Sequence, residues 1–252
     1  MAKKRAKQKG YRRQAAKKAY LSKRDIAILC LIVAAVAVAA FFLFRYDDGA
    51  LTVQDGVVVA DGDNWLIANG SNVRGGARYY KLGEIGEIDG CTREKGALSS
   101  DANIPEYAFT PAGEDGGDVR VTVTCGHGGA EAMSKYTHSL LEGSETVATG
   151  ELQTAQMAGR EVRWYSYDAD LTADNAAAAD AIEEAARATG GSSAAETGRY
   201  SRAIAAYIDA SRDCSVILQA NSHGDTQDDC LDDEALLGLL KKAVEVVTVE
   251  GK

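Results

Sequence analysis

The chain has 252 residues, 46% of them hydrophobic and only two of them proline, enough for one large domain or two small ones. Its net charge of −9 is unevenly spread: residues 1–25 carry eleven Lys or Arg against the single acid Asp25, whereas 46–252 carry 16 basic and 36 acidic side chains. That acidic field excludes nucleic acid and other anionic surfaces as natural partners of the larger part and favours cationic ones.

Residues 1–25 therefore form a basic tail, followed from Ile26 to Phe44 by 19 residues without charge or proline. As a helix this run extends roughly 28 Å, close to the ~30 Å hydrocarbon layer of a bilayer. Arg24 before it and Arg45 and Tyr46 after it suit the two membrane interfaces, so a transmembrane helix is expected over 26–45. A cleavable export signal is the rival reading, with alanines at 34, 35, 37, 39 and 40, but Phe41, Phe42, Leu43 and Phe44 prolong the apolar run past that cleavage point. Cys30 lies too near the start of the run for a lipid-modified cysteine. The charge bias keeps the N-terminus cytoplasmic and places the rest outside the plasma membrane, with the basic tail resting on anionic lipid.

Beyond a stalk at 46–56, a small β-rich subdomain is expected over 57–117. Val57–Val59 and Trp65–Ala68 flank the turn "DGDN"; Ala77–Ile88 and the segment between Pro105 and Pro111 supply further strands. From 118 the pattern sharpens. "DVRVTVTC" alternates as a half-buried strand does, and a helix over 130–142 carries a stripe of Met133, Tyr136, Leu140 and Leu141. Strands follow near 146–157 and 160–170 around "MAGR", and Arg163, Tyr165 and Tyr167 share one face of the second as candidates for a binding surface. Residues 172–197 are rich in alanine, with Ile182 the only large apolar side chain, and read as an exposed helical insertion, with a mobile lid as the alternative. Strands at 199–210 and 214–221 come next, and then a helix opening at Asp232 or Asp233 that buries Leu236, Leu237, Leu239, Leu240, Ala243 and Val244.

The fold class expected is α+β, an antiparallel sheet with packed helices over 118–252. The segments "VRVTVTC", "VRWYSY", "RAIAAYIDASRDCSVILQAN" and "DDEALLGLLKKAVEVV" resemble the PsbP-like fold family over residues 118–250. That resemblance implies a binding or assembly role and carries no catalytic residues across.

Four of the five cysteines, Cys91, Cys125, Cys214 and Cys230, fall in the exported part, an even number that suggests disulfides. Of the three pairings open to them, Cys91–Cys125 with Cys214–Cys230 closes the more modest loops. No two cysteines stand closer than 16 positions, so no zinc site is expected. The acidic stretch 225–234 lacks the spacing of an EF-hand, since Cys230 and Leu236 stand at the glycine and glutamate positions, and reads as a helix cap in a solvated loop. No phosphate cradle or dinucleotide fingerprint occurs, and no cofactor is expected. The functional expectation is a membrane-anchored extracytoplasmic binding or assembly module with an envelope protein as partner, more a binder than an enzyme. The alternative is an exported hydrolase using His127 or His223.

Overall fold

A computed structural model describes residues 23–44, 50–54, 57–59, 64–70, 78–98, 101–113, 118–171, 200–210 and 213–249, together with 181, 184 and 185. The chain divides into two units, Met1–Asp47 and Asp48–Lys252.

The first unit contains helix α1, Lys23–Phe44. Its 22 residues extend about 33 Å at the α-helical rise. Ile28, Leu31, Ile32, Val36 and Val38 are all exposed, and consecutive exposed residues from 26 to 38 cover every side of the helix. Side chains of the helix are described no further than Val38, and among the described residues no helix is long and apolar enough to cross a membrane.

The second unit is α+β, built on two antiparallel sheets. The smaller joins β1 (Ala50–Gln54), β2 (Val57–Val59), β3 (Trp65–Gly70), β4 (Arg78–Ile85) and β13 (Val247–Val249). The expected stalk therefore contains a strand: β1 pairs with both β2 and β4. Strands β2 and β3 form where expected, yet β3 pairs with β4 and not with β2. Turn residues in a sequence mark a reversal, but partner choice depends on which apolar faces meet later.

The larger sheet has the order β5 (Cys91–Leu98), β6 (Asp101–Pro111), β7 (Asp118–His127), β12 (Cys214–Gly224), β11 (Tyr200–Asp209), β10 (Arg160–Asp170) and β8 (Val147–Thr149), with β9 (Gln153–Met157) also on β10. Strand β5 escaped the sequence reading because "CTREKGAL" is polar, and it lies at a sheet edge with mostly exposed residues. Charged residues suit such an edge, where they discourage pairing with other chains. Strands β6 and β7, on either side of the expected division at 117/118, are neighbours in this one sheet. The turn between β9 and β10 was legible: Ala158 and Gly159 have φ of 49° and 76°, the positive values of a two-residue hairpin turn.

Both faces of this sheet are covered. Helix α2 (Ala130–Glu142) lies over Tyr165, Tyr167, Ala203, Ala205, Tyr207 and Ile217. Helix α3 (Asp233–Val246) and residues of the smaller sheet lie over the opposite face, where Val121, Ile204, Val216 and Leu218 meet Leu66, Leu82, Ile85, Leu236 and Leu240 in one core. Central strands β11 and β12 are buried on both sides, so they read as nearly unbroken apolar runs. The face α2 buries is Ala130, Ser134, Thr137 and Leu141, with Met133 and Leu140 only partly covered and Tyr136 exposed. Hydrophobicity alone pointed to a stripe displaced around the helix, because Ser134 and Thr137 bury hydroxyls that find partners inside.

Candidate functional site

Strand β10 and its neighbours decide which predicted surface exists. Alternation along the strand puts Arg163, Tyr165 and Tyr167 on one face, as expected, but that face lies under α2 and is core. Tyr165 and Tyr167 are 1% and 5% exposed and offer no binding surface. The Tyr165 hydroxyl donates to Thr137 Oγ1 at 3.0 Å and lies 3.3 Å from the Tyr207 hydroxyl. Thr137 also bonds the Tyr207 hydroxyl and donates to the Met133 carbonyl at 3.0 Å. Burial pushes the phenol pKa values of Tyr165 and Tyr207 above the usual range. The Tyr167 hydroxyl accepts from Gln219. Arg163 is held among acids, with Nη2 3.2 Å from Glu161 and 3.5 Å from Glu131, and Nη1 3.8 Å from Asp209. These contacts fix α2 to the sheet.

An open cleft of about 280 Å³ lies beside the ends of β8, β10 and β11. Its charged groups among the described residues are Glu145, Asp168, Asp170 and Arg202. Arg202 Nε donates to Asp168 Oδ1 at 2.7 Å, and that bond holds the guanidinium pKa above its ordinary value. Cys230 also lines the cleft; its thiol donates to the carbonyls of Tyr200 and Thr226, both at 3.8 Å. Burial pushes the Cys230 thiol up, so at neutral pH it is a protonated donor and a poor nucleophile. Among the described residues the cleft presents more carboxylate than cation, with Arg202 bonded to Asp168, a setting for a small cationic or zwitterionic group. No local pattern marks it, because its residues come from four separate segments.

His223 stands directly opposite Ser201 on β11 and, in backbone register, opposite Asp118 on β7. Ser201 is buried and lines the cleft. His127 ends β7, exposed, in register with Cys214. His138 is fixed by the Gly150 carbonyl, 2.8 Å from Nε2, with its ring edge against Tyr165. The acidic loop caps helices: Asp229 accepts from the Thr226 backbone and hydroxyl, and Asp232 accepts from the Ala235 amide at 2.8 Å. Among the described residues no group of three or more His, Cys, Asp or Glu side chains is gathered as a metal ion requires.

Cys91, Cys125, Cys214 and Cys230 are not joined to one another in the structure, and its geometry rules out both favoured pairings. Cys214 begins β12, while Cys230 bonds the carbonyl of Tyr200, which pairs with Gly224 at the far end of that strand. Ten residues of strand separate the two ends, about 33 Å. Cys91 pairs with Pro111, and the β6–β7 register continued by two residues sets Pro111 level with Val119. Cys125 is six residues further along, about 20 Å. Loop length in the sequence was a poor guide, because neighbouring segments run to opposite ends of the sheet. The chain matches no protein-family model and is significantly similar to no curated protein.

Proposed function

We propose that the chain is a single-pass membrane protein whose acidic 48–252 unit works outside the cytoplasm as a non-catalytic binding or assembly module of the cell envelope. What carries this is the uncharged apolar run of the sequence from Ile26 to Phe44, together with the exposed apolar side chains of α1 over its described part, 26–38. A helix apolar all round needs a core or a bilayer, and lipid supplies the second. The basic tail ahead of it sets the orientation. The PsbP-like resemblance over 118–250 implies a binding or assembly role, and the cleft's carboxylates support a cationic partner.

The test is membrane fractionation of cells followed by alkaline carbonate extraction and external protease. The chain is expected to stay with the lipid and to lose 48–252 to protease in intact cells. Recovery in the soluble fraction, or full protection from protease, would refute the reading. A hydrolase using His223 has one observation in its favour, the facing of Ser201 and His223 across β11 and β12 beside the cleft. Labelling of Ser201 by a fluorophosphonate probe, abolished by Ser201→Ala, is its signature, and an unlabelled native chain excludes it.

A further inference from the structure

We infer that Cys125 and Cys214 are the exported unit's disulfide pair, joining β7 to β12 beneath the small sheet and α3. In register Cys125 faces Val216 and Cys214 faces His127, so the two cysteines are diagonal neighbours on adjacent antiparallel strands. Cys214 is two residues from Val216, which puts it on the same face as Cys125, and both belong to one core cluster at 1% exposure each. A charge on the Cys214 sulfur is felt at Cys125, where it adds to the larger effect of burial in pushing that thiol up.

Diagonal neighbours on antiparallel strands stand about 7–8 Å apart at Cα, and a disulfide draws them to within about 6.8 Å. An approach of roughly an ångström closes the bond. Both cysteines stand near the end of the β7–β12 pairing. Cys214 is the first residue of β12, directly after the turn that bonds the Ala210 amide to the Cys214 carbonyl at 2.8 Å. Cys125 is followed by Gly126, and by Gly128 with φ of 117°.

The oxidant is a dithiol–disulfide exchange partner of the envelope. Two thiols, Cys125–SH and Cys214–SH, and one partner disulfide R–S–S–R give one Cys125–Cys214 bond and two R–SH, each partner sulfur taking one proton and one electron. Both sulfurs are closed off once the core is assembled, so exchange happens while the chain folds, and the finished bond resists reductant until the unit unfolds. Cys91 and Cys230, toward the other end of the strands, stay as thiols.

The inference rests on the exported placement only for the oxidising surroundings, and two arms of one experiment separate the two. In the first, full-length protein is taken from cells with thiols blocked by maleimide under denaturing conditions, digested without reduction and mapped by mass spectrometry. In the second, purified full-length protein is unfolded, reduced and refolded in a glutathione redox buffer before the same mapping. The expected result in both is a joined peptide pair containing Cys125 and Cys214, about 2 Da lighter than the sum of its thiol forms. It is retained in a Cys91→Ser/Cys230→Ser variant and lost in Cys214→Ser. Formation in the buffer but not in cells keeps the pair and overturns the extracytoplasmic placement. No bond in the buffer, or a bond to Cys91 or Cys230, overturns the pair.

Discussion

The hydroxyl cluster beneath α2 makes a sharp prediction, because its protons can be counted. Thr137 gives its proton to the Met133 carbonyl and so has two lone pairs for the hydroxyls of Tyr165 and Tyr207. Thr137→Val keeps the side-chain shape and removes both acceptor positions. One phenol then donates to the other across the 3.3 Å that separates them, and the second proton is left buried without an acceptor. An unsatisfied buried hydroxyl costs about 1–3 kcal/mol, and each lost hydrogen bond about 1 kcal/mol, so the variant is expected to lose about 2–4 kcal/mol. Tyr207→Phe alone leaves Thr137 and Tyr165 satisfied and costs about 0.5–1.5 kcal/mol. Removing all three hydroxyls, in Thr137→Val/Tyr165→Phe/Tyr207→Phe, leaves no orphan and should cost less than the sum of the single changes. Urea unfolding of the full-length protein in mild detergent, read by tryptophan fluorescence, gives these differences from the midpoints. A loss below about 0.5 kcal/mol for Thr137→Val, or simple additivity in the triple variant, would refute the proton count.

Alkali should act on the same cluster. Burial raises the phenol pKa values of Tyr165 and Tyr207, so their contribution is complete below the unfolded value of about 10 and is lost as pH rises beyond it toward the folded values. The urea midpoint should therefore decline above pH ~10, less steeply in Tyr165→Phe/Tyr207→Phe. Gly83→Ala is expected to detach β13: a Cβ there would lie 1.7 Å from the Thr248 carbonyl oxygen, and freeing the buried Val247 costs about 1.5–3 kcal/mol. Amide exchange in 247–249 should accelerate, and unchanged protection would sink that account. Asp209→Ala removes the carboxylate that accepts from the Ala130 amide at 2.7 Å at the start of α2, with an expected loss of about 1 kcal/mol in the same urea assay.

Strong periodicity survived the passage from sequence to structure. "DVRVTVTC" became β7, Asp232 became the cap of α3, and "MAGR" became a hairpin turn, since each is settled by residues within a few positions of one another. Faces and partners did not survive so well. Tyr165 and Tyr167 have polar tips that suit a surface, yet Thr137 and Gln219 satisfy those tips indoors. The cleft of Arg202 and Asp168 was illegible because its lining is gathered from β8, β10, β11 and the Gln227–Cys230 segment.

The sequence by itself determined the charge division, the apolar run from Ile26 to Phe44 and the α+β class, all of which depend on composition and short-range period. Only the tertiary structure decided which strands are neighbours, that β6 and β7 share one sheet, and that Cys125 faces the Cys214 end of β12 while Cys230 sits at the other. Register couples residues almost ninety positions apart through hydrogen bonds and packed faces, and a local pattern holds no record of that distance.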